Sequence, residues 1–177
     1  MEDRLPDNLP MRVRTMQIIV LALALGIASF FVIATYLRTQ QPAPAQGNQL
    51  PIISIVAGFF TVGPVAAFFL VPRLIVNSAR GRLAPERRLA PALQDQPLDW
   101  SEKLLGVYQT KLIVAAALLE GPAFFLMIAY LLEGQLWTLV LAAFLLAGVV
   151  AQFPTQPGVT SWLQEQMRLI EGADAGP

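Results

Sequence analysis

Glu120 is the residue whose chemical type is most at odds with its surroundings. It interrupts Leu112 to Leu132, LIVAAALLEGPAFFLMIAYLL, a stretch of 21 residues that holds no other charged side chain. At about 1.5 Å per helical residue this stretch measures roughly 30 Å, the thickness of a bilayer's hydrocarbon core. Glu120 then lies about eight residues, or roughly 12 Å, in from Lys111. A carboxylate exposed to lipid at that depth is unfavourable by a few kcal/mol or more, so the group must face protein, water or a partner. Two kinds of chemistry suit it. The carboxyl can bind and release a proton or cation, or it can stay neutral and donate a hydrogen bond. For the second role an acceptor is at hand, because Pro122 leaves the Leu118 carbonyl without its helical donor. Tyr130, Gln109 and Thr138 are further candidate partners.

Catalysis has little to work with. The chain contains no histidine and no cysteine, which removes Ser/His and Cys/His nucleophile pairs, zinc-finger spacings and disulfides. A lone membrane carboxylate has no second group for acid/base work. The expectation is a protein that is not an enzyme, with no cofactor and no metal site.

Composition identifies the solvent. Of the 177 residues 55% are hydrophobic and only 14% charged, with a mean hydropathy of +0.57; soluble domains carry about 25% charged residues. The chain reads as an all-α integral membrane protein. Formal net charge is zero, which suggests no nucleic-acid partner.

Five segments follow in order. Residues 1–15 carry Pro6, Pro10, Arg12 and Arg14 and read as a cytoplasmic tail. Residues 16–72 form a first transmembrane hairpin, with spans from Met16 to Leu37 and from Pro51 to Val71. The first span is longer than the apolar core of a cleaved signal peptide, although Ala43-Pro44-Ala45 would suit a signal peptidase. Residues 73–99 form a basic, proline-rich cytoplasmic linker with Arg73, Arg80, Arg82, Arg87 and Arg88. Its prolines, Pro85, Pro91 and Pro97, predict an extended chain beyond about one helical turn. Residues 100–154 form a second transmembrane hairpin, opened by the helix-capping pair Asp99 and Glu102, with a fourth span from Leu136 to Phe153. Residues 155–177 hold Val159, Trp162, Leu163, Met167 and Ile170 at helical spacing, which predicts a short amphipathic helix on the membrane surface.

Basic residues set the orientation. Eleven of the twelve lie in the N-terminal tail, in residues 73–111 or in the C-terminal segment, and only Arg38 lies elsewhere. Both termini are therefore expected in the cytoplasm, in a cytoplasmic (inner) membrane, with four spans returning the chain to its starting side. The linker arginines face the lipid surface and can meet anionic headgroups. Beyond the bilayer, the expected partners are a second copy of the chain or another membrane protein.

An internal repeat ties the two hairpins together. Shifted by 95 residues, Thr15 to Arg38 aligns with Thr110 to Glu133 without gaps, and ten of the 24 positions are identical, with Gly26 falling on Gly121 and Phe30 on Phe125. This predicts parallel tandem hairpins. It also pairs Ala22 and Gly26 with Ala117 and Gly121, small residues four apart through which the first and third helices are expected to pack. Pro64 and Pro122 are expected kinks.

Glu120 has no acidic counterpart in the first hairpin, where Leu25 takes its place. One carboxylate per two hairpins, following an alanine-rich run in AALLEGPAFFLMIAYLL, resembles the ion-carrying helix of rotary ATPase proteolipids, the c-ring subunits. The resemblance covers residues 110–133. It implies that Glu120 binds a proton or sodium ion. The family's glycine-rich partner helix has no counterpart, and the carboxylate stands on the first helix of its hairpin rather than the second. Two functions follow: a structural or interaction subunit of a membrane assembly, and a proton- or ion-coupled protein using Glu120.

Overall fold

The computed structural model describes residues 6, 8–41, 50–89 and 98–174. Five helices follow one another: α1 (Leu9–Gln40), α2 (Ile52–Leu89), α3 (Leu98–Glu133), α4 (Leu136–Ala151) and α5 (Gln156–Asp174). The described residues contain no strand. Three helices, α1, α2 and α3, are long and apolar enough to cross a membrane. A fourth crossing is available if α4 and α5, which meet at a 71° bend, count as one broken span. Large apolar side chains stand bare along these helices, among them Leu25, Val32, Val62, Phe69, Phe144 and Phe59, the last 83% exposed. Apolar surface on that scale belongs in lipid.

The chain divides into two compact units. Unit 1 gathers residues 1–18, 71–114 and 154–177; unit 2 gathers residues 19–70 and 115–153.

Unit 2 is built on seams seven residues apart. Val20, Ile27 and Ala34 are buried on α1, and Ala115, Pro122 and Ala129 on α3. Such a period keeps one stripe of a helix against its neighbours over several turns. α3 is the central helix, with half of its apolar stretch buried against 22% and 17% in α1 and α2. Phe30 meets Phe124 edge to face at 5.4 Å, and Phe60 meets Phe125 at 5.5 Å, joining α1 and α2 to α3. Close approach uses Gly58 and Gly148. A Cβ on Gly58 would stand 2.9 Å from the Trp137 ring, and one on Gly148 would stand 3.0 Å from Leu119.

The predicted packing track is therefore corrected. Ala22, Gly26, Ala117 and Gly121 are all exposed, and a Cβ on either glycine would meet nothing within 4 Å. At about 100° per residue, Ala22 and Ala117 lie roughly 160° round the helix from Val20 and Ala115. Across the α1/α3 seam Phe30 meets Phe124. Met127, which apolarity alone makes a lipid-facing candidate, is fully buried.

Three boundaries also differ. α1 begins at Leu9, so residues 9–15 are helical and not a tail: Leu9, Val13, Met16 and Val20 form a buried stripe, and Pro10 lies in the first turn, where its missing N–H costs nothing. α2 continues through Pro72 and Pro85 to Leu89. Only Pro85 lies in the 73–89 stretch, whose Leu, Arg and Ala are good helix formers, while the rest of the expected extended linker, residues 90–97 with Pro91 and Pro97, lies outside the described residues. α4 stops at Ala151 after 16 residues, short of the expected Phe153. Pro64 and Pro122 stand within unbroken helices.

In unit 1, α5 is amphipathic as its spacing predicts, and part of its apolar face packs on protein. Val159 and Leu163 are fully buried, and Trp162 packs on Tyr108 with ring centroids 5.0 Å apart. Hydrogen bonds join the segments of this unit. Asn8 donates to the Glu102 carboxylate at 3.1 Å, and Gln17 Nε2 donates to the Pro154 carbonyl at 2.9 Å.

Candidate functional site

Glu120 is partly exposed on α3. Helical geometry sets it on one face with Ala117, Gly121 and Ile128, at about −60°, 0°, 40° and 20° relative to Ala117. Ala117, Gly121 and Ile128 are exposed on this face, which is turned away from the buried positions 115, 119, 122 and 126, while Glu120 lies at its border with the buried Ala116, Ala123 and Met127. The face beside Glu120 is low, with small residues at 117 and 121 and nothing within 4 Å of the point where a Gly121 Cβ would be.

The expected internal partners are not engaged. The Thr138 hydroxyl donates to the Gln135 carbonyl at 2.7 Å, closing its own helix turn. Among the described residues Glu120 has no hydrogen bond and no ion pair, to the Leu118 carbonyl, Tyr130, Gln109 or any other group. What the site offers is a half-buried, mid-stretch carboxyl without a bonded partner, at the edge of an exposed helix face. It can bond to a group brought to it, or bind and release an ion.

A second polar cluster lies at the other end of α3 and was not foreseen. The Glu133 carboxylate accepts the backbone N–H of Ile53 and of Ser54, each at 2.7 Å. These are free donors of the first turn of α2, and a carboxylate there also meets the positive end of the helix dipole. Beside it Gly134 adopts φ +70° and ends α3, donating its N–H to the Tyr130 carbonyl at 2.7 Å. A Cβ on Gly134 would press into the Arg38 guanidinium, 2.7 Å from Cζ. Arg38 in turn donates to the Gln41 amide oxygen at 2.8 Å. In the sequence, Glu133-Gly134-Gln135 reads simply as a turn. The signal that was present is an acidic residue at the C-terminal end of a helix, where the dipole disfavours it unless it serves another helix.

Of the linker arginines, Arg73 is exposed on α2 in unit 1. Arg80, Arg82, Arg87 and Arg88 lie further along the same helix.

No protein-family model matches the chain, and no curated protein and no solved structure matches it.

Proposed function

We propose that this protein is a non-enzymatic subunit of a membrane assembly, and that the outer face of α3 around Glu120 is where it meets another transmembrane helix. One observation carries the reading: a half-buried carboxyl in the middle of an apolar stretch has no partner among the described residues and borders an exposed face with small residues at 117 and 121, where a Gly121 Cβ would meet nothing. An acidic group at a helix centre in a bilayer costs about 2.5 to 3.5 kcal/mol on the insertion scale. A partner helix with a hydroxyl or amide near its midpoint offsets that cost, and Ala117 and Gly121 let it come close.

The lack of a bonded partner for Glu120 among the described residues also supports a second reading, ion handling as in the proteolipids it resembles. Substitution separates the two. In the subunit reading Glu120→Gln keeps the donor and leaves the assembly intact when isolated from native membranes, whereas Glu120→Leu reduces its yield about tenfold. Assembly unaffected by Glu120→Leu contradicts the subunit reading. A folded Glu120→Gln protein that loses function as fully as the Leu variant, in a parent whose Glu120 reacts with a carbodiimide, supports ion handling instead.

The same proposal includes the topology: four crossings in two tandem hairpins, in a cytoplasmic membrane, with both termini and the segment after Arg73 in the cytoplasm. Its support lies within unit 1, where Asn8 bonds to Glu102, Gln17 to Pro154, and Tyr108 packs on Trp162. A chain that leaves this unit after residues 18 and 114 and rejoins it at residues 71 and 154 has gone out and back twice. α4 covers roughly 24 Å, and the non-helical residues that follow it extend its reach. Cysteines placed singly at Gln46 and Gln94 then label from opposite sides of the membrane; labelling from one side contradicts the topology.

A further inference from the structure

We propose that unit 1 carries a binding cleft for a phosphate-bearing anion, supplied in the membrane by the headgroup of an acidic phospholipid. The cleft has a volume of about 310 Å³ and is lined by Pro72, Arg73, Val76 and Asn77 of α2, Lys111 of α3, and Trp162 and Gln166 of α5. That volume lies at the lower end of small-molecule sites, roughly 300 to 1,000 Å³, and suits a headgroup.

The lining has the chemistry of an anion site. Two cations, Arg73 and Lys111, border it, and neither has a carboxylate partner among the described residues. Lys111 is held in place by aromatic rings instead: its Nζ stands 5.6 Å from the centroid of Tyr108 and 5.7 Å from that of Trp162. A ring face steadies an ammonium without neutralising it, so its charge stays available to a ligand. The guanidinium of Arg73 suits phosphate oxygens in pairs, and the Asn77 amide adds a neutral donor.

Position in the sequence points to a lipid as the source. Lys111 directly precedes the apolar stretch Leu112 to Leu132, and Pro72 and Arg73 directly follow the apolar stretch Pro51 to Val71. Those are the points at which membrane helices reach the headgroup level, where tryptophan also concentrates. The inference depends on the chain being a membrane protein but not on any role of Glu120.

The test uses the full-length protein taken from vesicles of equal parts phosphatidylglycerol and phosphatidylcholine, with retained lipid read by native mass spectrometry. Phosphatidylglycerol is expected to be retained about tenfold over phosphatidylcholine. Arg73→Gln and Lys111→Gln each lower that retention about fivefold, while Arg12→Gln, an exposed charge of the same unit outside the cleft, leaves it unchanged. Arg73 is exposed and its substitution spares the fold, so the Arg73→Gln result stands even where Lys111→Gln unfolds the protein. Equal retention of the two lipids, or an equal loss in the Arg12 variant, overturns the proposal. A further arm adds soluble glycerol phosphate: displacement of the lipid at millimolar concentration assigns the site to a free phosphate ester and overturns the lipid source.

Discussion

The two units of this chain differ in the polar side chains they hold and in how those are satisfied. In unit 1, side chains reach between elements: Asn8 to Glu102, Gln17 to the Pro154 carbonyl, Lys111 onto the rings of Tyr108 and Trp162. In unit 2, Glu133 reaches the first turn of α2 in the same way, while threonine hydroxyls turn back on their own helices, as Thr15 and Thr110 do in unit 1. Thr35 bonds to the Phe31 carbonyl, Thr61 to Ala57 and Thr138 to Gln135. The charge inventory follows the same division, since unit 2 holds only Arg38, Glu120 and Glu133 of the twelve basic and twelve acidic residues. Without water, a polar group has to be satisfied by what is already within reach, and the carbonyl one turn back is always within reach. Arg38 and Glu133 comply at the ends of their helices. Among the described residues Glu120 does not, and it is the charged exception alongside the buried Ser54 hydroxyl, which also lacks a hydrogen-bond partner.

The sharpest way to break the contrast is to enlarge or shrink side chains in unit 2. Met127→Ala is expected to cost about 2 to 5 kcal/mol, because it opens a cavity in a fully buried site. Gly121→Leu should stay within about 0.5 kcal/mol, since its Cβ has open space. Thermal or denaturant unfolding in a detergent micelle reads both, and the reverse order would mean that the seam has been placed on the wrong face. Next in size is Gly134→Ala, expected to cost about 1 to 3 kcal/mol, as it forces a left-handed conformation on alanine and displaces the Arg38 guanidinium. A Gly134→Ala protein as stable as the parent would contradict the turn described. Smaller again is Glu133→Ala, which should cost about 1 kcal/mol by leaving the Ile53 and Ser54 N–H groups unserved. Glu133→Gln keeps one acceptor and should lose less, and equal losses would argue that only charge matters there.

These expectations expose what was legible in the sequence. Helical class, the spans of α1 and α3 and the amphipathic spacing of α5 could all be read, because apolar length and a mixed face are strong signals. The phase of the membrane helices could not. In a soluble protein the buried stripe contrasts with a polar one, but against lipid both sides of a helix are apolar. Met127 and Ile128 look alike in the sequence, yet one is buried and the other exposed. The same ambiguity led small residues at 22, 26, 117 and 121 to be read as a seam, when the glycines under close contact are Gly58 and Gly148. For α5 the apolar face was clear, but a helix pattern does not say whether protein or membrane covers it. Proline density reads as an early end to α2, yet between Pro72 and residue 90 only Pro85 interrupts good helix formers. Glu120 is legible as a site from its charge alone, and its lack of a bonded partner among the described residues required the fold.

The central claim, that the outer face of α3 at Glu120 is an interface, can be tested directly because the chain has no cysteine. A single cysteine at Ala117, exposed on that face, is oxidised or treated with a short bifunctional thiol reagent in native membranes, alongside one at Val32 on an exposed face of α1. The account predicts a discrete cross-linked species from the Ala117 variant, to a second copy or to a partner with a reactive thiol, that weakens about tenfold when Glu120→Leu is added, and none from Val32. Equal cross-linking at both positions, or a species at Ala117 indifferent to Glu120, would contradict it.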